Sequence, residues 1–84
     1  MNTEIKESLH GCLVRYGEEG PRDAFTKQNI LDFSKGDIET ADAALKGWAS
    51  QGAVYILSDL RSAPMEALVV RINFPRLSSL LIGY

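Results

Sequence analysis

One cysteine and one histidine stand in 84 residues, and each scarcity closes a class of function. Cys12 alone excludes an internal disulfide and fits a reducing compartment. His10 is the sole histidine, so one chain cannot assemble a conventional zinc site. No apolar run reaches the ~18–20 residues of a membrane span. Met1-Asn2-Thr3-Glu4 lacks the basic-then-apolar layout of a secretory leader. The expectation is a cytoplasmic protein with no membrane partner. No Pro/Gly/Ser-rich stretch separates two domains, so residues 1–84 read as one. Basic residues are not in excess either: nine Lys and Arg stand against eleven Asp and Glu, a net charge of −2.

The pieces of a catalytic site are also missing. Glu18-Glu19 is a solvated pair in a Gly-flanked loop, with no histidine or nucleophile beside it. Gly17-Glu18-Glu19-Gly20 lacks the Lys-Ser/Thr of a phosphate loop and follows no strand. His10 and Cys12 point roughly 200° apart on a helix, which prevents a shared ligand. A domain this small buries only about 60–65% of its unfolded surface, which makes a deep cleft costly. No enzyme, metal or cofactor is expected.

What is present is helical periodicity followed by alternation. Ile5, Leu9, Cys12, Leu13 and Tyr16 form one apolar stripe, predicting a helix over 3–16 with Gly17 as its stop. Residues 17–23 read as a loop. Thr26 as N-cap, with Phe25 before it and Ile30 four residues after it, is a hydrophobic-staple arrangement and predicts a helix over 27–34. Ser34-Lys35-Gly36 breaks that helix. Asp37 caps the next one, over 38–51, whose stripe is Ile38, Ala41, Ala44, Leu45, Trp48 and Ala49 and whose stop is Gly52. Trp48 lies on that inward stripe and reads as core. Two strands over 53–58 and 67–74 make a hairpin, with Leu68, Val70, Ile72 and Phe74 on one face. In the C-terminal segment 75–84, Leu77, Leu80, Leu81 and Tyr84 recur at helical spacing. That apolar tail is expected to pack on the body or to form a homodimer seam.

The runs Phe25-Thr26-Lys27-Gln28-Asn29-Ile30, Asp37-Ile38-Glu39-Thr40-Ala41 and Ala44 to Val54 carry a resemblance. Their order of helix, short extended stretch, helix, tight turn, helix and two-stranded wing resembles the winged helix-turn-helix superfamily over roughly residues 3 to 74. The resemblance implies an α+β winged helix: a three-helix core, a two-stranded wing and a short C-terminal helical segment. It also implies a transcriptional regulator that binds double-stranded DNA, with its third helix in the major groove and its wing on the backbone. The groove-facing positions would be Glu39, Thr40, Asp42, Ala43, Lys46 and Ser50.

The charge pattern leans against a simple version of this. Residues 1–42 hold five basic and nine acidic side chains, a net of −4, and residues 43–84 hold four basic and two acidic, a net of +2. Phosphate contact would rest on Lys27, on Lys35 in the turn, and on Arg61, Arg71 and Arg76 in and after the wing. The other reading is a protein-binding winged module (an inhibitor, an adaptor or a small subunit) whose acidic third helix docks on a basic protein surface.

Overall fold

The computed structural model describes residues 3–20 and 22–80. Its elements follow in the order α1 (Thr3–Glu19), β1 (Ala24–Thr26), α2 (Lys27–Phe33), α3 (Ile38–Ser50), β2 (Val54–Ile56), β3 (Leu68–Ile72) and α4 (Phe74–Ser79). The architecture is α+β, with four helices and a three-stranded antiparallel sheet.

Ile5, Leu9 and Leu13 are buried on α1, as the stripe requires. The helix does not stop at Gly17, however, and continues to Glu19. Gly17 sits beneath the ring of Phe74, where a Cβ would overlap the ring atoms. The glycine serves a close approach between α1 and α4, not a helix end. Tyr16 is exposed, although its ring still meets Phe25 and Phe33.

The two short helices are fixed by their ends. Thr26 caps α2: its Oγ1 accepts the Asn29 N–H at 3.2 Å, while Asn29 Oδ1 accepts the Thr26 N–H at 3.1 Å. The helix closes through Lys35 (φ 56°) and Gly36 (φ 80°), with the Gly36 N–H donated to the Leu31 carbonyl at 2.8 Å. α3 ends on Gly52 (φ 76°), which lets Ala53 donate to the Trp48 carbonyl at 2.9 Å. That is a Schellman closure, and it needs the left-handed residue at this position.

The sheet order is β1-β3-β2, so the expected hairpin gains a third strand. β1 is three residues long, too short for alternation to show in the sequence. Opposite β1 the register shifts, with Phe25 facing Val70 but Thr26 facing Leu68. The extra residue, Val69, marks a bulge, which breaks the period of two. Val69 is therefore buried and Leu68 exposed, the reverse of their expected faces. The hairpin strands are also shorter than expected: β2 covers Val54–Ile56, and β3 ends at Ile72.

The C-terminal helix closes the molecule. Pro75 occupies its first turn, where a missing N–H costs nothing. Leu77 is fully buried among core residues that include Leu9, Leu13 and Trp48. This corrects the expectation that Leu77 belongs to a dimer seam: the body of the same chain already covers it. Leu80 is partly buried and also packs on the core. Leu81 and Tyr84 lie outside the described residues. His10 Nε2 lies 2.9 Å from the Leu77 carbonyl, and the His10 ring meets Trp48 edge-on, tying α1, α4 and α3 together. Among the described residues no helix is long and apolar enough to cross a membrane.

Candidate nucleic-acid interface

α3 begins at a cap that pairs the side chains of Asp37 and Thr40. Asp37 Oδ1 accepts the Thr40 N–H at 3.0 Å, and Oδ2 accepts the Thr40 hydroxyl at 2.9 Å. These bonds hold the Asp37 carboxyl below its ordinary 3.8, because they stabilise the charged form. Thr40 is buried. It turns towards the cap, so it is not a groove-facing residue, as the helical position alone had suggested.

Asp42 is corrected in the same way. Its side chain is only 10% exposed, with Lys46 Nζ at 2.9 Å and Arg61 Nε at 3.4 Å. Two cations thus flank one buried carboxylate. Lys46 retains 63% of its side-chain exposure and Arg61 retains 50%. Arg61 also reaches Glu39, with 3.9 Å between Nη1 and Oε1. The outward surface of α3 is left to Glu39, Ala43, Lys46, Gly47 and Ser50, all exposed. Ala43, Gly47 and Ser50 are small, and the Ser50 hydroxyl donates to the Gly47 carbonyl at 2.6 Å.

Arg61 reaches α3 because the β2–β3 loop, residues 57–67, folds back onto the helices. Leu60 is buried in the core. Lys27 Nζ donates to the carbonyls of Arg61 at 3.1 Å and Ala63 at 3.0 Å. The first amides of α2 join in, Lys27 N–H to the Ala67 carbonyl at 3.1 Å and Gln28 N–H to the Met65 carbonyl at 3.0 Å. Lys27 was expected to meet a nucleic acid. Its ammonium is instead engaged by two backbone carbonyls of this chain, and it positions the loop that carries Arg61.

The remaining predicted cations lie apart from this cluster. Arg71 stands in β3 opposite Tyr55, 3.9 Å from Asp23 Oδ2. Arg76 donates to the Gln51 carbonyl at 3.0 Å. Lys35 is exposed in the turn before α3, and its left-handed φ of 56° is one that a lysine adopts at a cost.

Two features escaped the sequence reading. Arg22 covers the ring of Phe25, 5.0 Å from its centroid, and donates to the Ala24 carbonyl and to Asn29 Oδ1. Tyr55, Ile56, Leu57 and Leu68 leave large apolar surfaces exposed, with Tyr55 at 54%. A short apolar run reads as buried strand whether or not anything covers it, so the sequence carried no signal for this exposure.

No family model, curated protein or solved structure matches the chain. Among the described residues no group of three or more His, Cys, Asp or Glu is placed to hold a metal ion.

Proposed function

We propose that the chain is a winged-helix module that binds double-stranded DNA without catalysis, acting by occupancy of its site. The element order and the β1-β3-β2 sheet fit that architecture. The observation that carries the reading is the pair of cations held by Asp42. A buried carboxylate pins Lys46 of α3 and Arg61 of the loop on the outer face, where both remain half exposed or more. Cations ordered in advance lose less side-chain entropy when they meet phosphate. The same pairing removes Asp42 from the surface, and with it much of the acidity that argued against DNA. Lys35 adds support. It keeps a long cationic side chain at a backbone position suited to glycine, and strain of that kind often marks a working residue.

Fluorescence anisotropy with a mixed-sequence duplex, at low and near-physiological salt, tests the proposal. Three phosphate-facing cations, Lys35, Lys46 and Arg61, imply a slope of log K against log salt of about −3. Arg61→Ala should weaken binding and bring the slope about one unit closer to zero. Lys35→Gly should raise the melting temperature, by relieving the left-handed backbone, and yet weaken binding. Flat anisotropy at micromolar protein in low salt would sink the reading.

One observation favours a second reading, docking to another protein. Tyr55, Ile56, Leu57 and Leu68 expose apolar surface of the kind that marks protein contacts. Under that reading Arg61→Ala leaves duplex affinity unchanged because there is none, while Tyr55→Lys abolishes the protein complex.

A further inference from the structure

We infer that Glu39 is a base-reading residue that selects cytosine in the major groove, an inference that rests on the duplex-binding reading above. Three carboxylates lie at or near the start of α3, and two of them are committed elsewhere. Asp37 is spent on the two donors of Thr40. Asp42 is buried between Lys46 and Arg61. Glu39 alone faces outward, 80% exposed, in the first turn of the helix. Residues at the start of a recognition helix are the ones that reach base edges. Arg61 Nη1, 3.9 Å from Glu39 Oε1, biases the direction in which the carboxylate points.

An ionised carboxylate only accepts hydrogen bonds, so it is repelled by phosphate and by base-edge acceptors. In the major groove, guanine presents two acceptors and thymine one. Adenine presents a donor beside an acceptor. Cytosine presents only a donor, its N4 amino group, and the acceptor beside it belongs to the paired guanine. An exposed glutamate here is therefore either a pure penalty to binding or a reader of cytosine. Elsewhere on the α3 surface the other charged side chain is Lys46, which is held on Asp42 and which the reading above gives to phosphate. Ala43 offers a methyl group, Gly47 has no side chain, and the Ser50 hydroxyl is already donated to the Gly47 carbonyl.

The test is selection from a randomised duplex library by the wild type and by Glu39→Gln, followed by anisotropy on the selected sites. Glu39 is exposed and its side chain plays no part in the core, so the variant keeps the fold. Wild-type sites should hold an invariant cytosine whose replacement costs about tenfold in affinity. Glu39→Gln should lose that cytosine and favour adenine, which offers an amide both a donor and an acceptor. It should also bind mixed-sequence duplex more tightly than the wild type, because a charge that repels phosphate is gone. Specificity and affinity then move in opposite directions, which a merely exposed glutamate does not produce. Selected sites without an invariant cytosine, or the same site chosen by both proteins, overturn the role of Glu39 and leave duplex binding standing. A wild type that binds no duplex in the mixed-sequence assay overturns both.

Discussion

Asp37 and Asp42 are both acids of the same helical stretch, and their surroundings give them different work. Asp37 accepts two hydrogen bonds from Thr40, and these lower its pKa from 3.8. The folded protein thus favours the ionised form more than the unfolded chain does. The resulting stabilisation is complete above the unfolded-state value and disappears as the pH falls through the lower folded-state value. Asparagine keeps most of the capping geometry without the charge. Asp37→Asn should therefore melt below the wild type at neutral pH, and the two melting curves should converge in the acid range below 3.8. Thermal melts across that range check this, and a gap that persists undiminished in acid would show that the charge has no part in the cap. Both residues were only half legible in the sequence. Asp37 announces a cap because it precedes an apolar helical stripe. Asp42 sits four residues before Lys46, a spacing that places the two on one helix face. Its second partner, Arg61, is nineteen residues away, and no local rule joins them.

Helix periods were legible where an apolar stripe had room to repeat, which is why α1 and α3 lie where Ile5 and Leu45 point, while α2 was legible from the staple around its Thr26 cap. What the sequence hid is contact between elements. β1 became visible only through its partner strand, and the bulge at Val69 inverted two faces that strict alternation had assigned. Gly17 is the sharpest case, because the same residue type that ends helices elsewhere here lets two helices meet. Alanine in a helix interior ordinarily stabilises by about 1 kcal/mol over glycine. At Gly17 the added Cβ would overlap Cγ, Cδ1 and Cε1 of Phe74. Cγ is bonded directly to the Phe74 Cβ, so rotation of the ring alone cannot clear the overlap, and the ring must leave its seat and disturb the start of α4. Overpacking of this sort costs about 1–3 kcal/mol, so Gly17→Ala should lower stability in urea titrations. Gly47, where an added Cβ would meet nothing within 4 Å, is the control: Gly47→Ala should gain about 1 kcal/mol. A Gly17→Ala protein as stable as the wild type would show that α4 yields freely.

At the scale of the whole molecule, α4 closes the core, and the buried Leu77 is what commits it. The sequence offered an apolar tail that either packs on the body or seals a dimer, and pattern alone does not separate the two. The fold resolves it for Leu77, whose side chain lies in the common core while its carbonyl is met by His10. Small domains have little stability in reserve, about 0.05–0.15 kcal/mol per residue. Leucine-to-alanine changes in a core cost about 2–5 kcal/mol. Leu77→Ala should therefore remove a large share of the total, lowering the urea midpoint sharply, and it should do so equally at every protein concentration. Sedimentation should report the same association state for the variant as for the wild type under conditions where both are folded. A seam residue behaves in the opposite way: its loss dissociates a dimer, and its effect on stability depends on concentration. A Leu77→Ala protein that melts like the wild type when dilute, yet fails to associate when concentrated, would return this residue to an interface and undo the placement of α4 in the core.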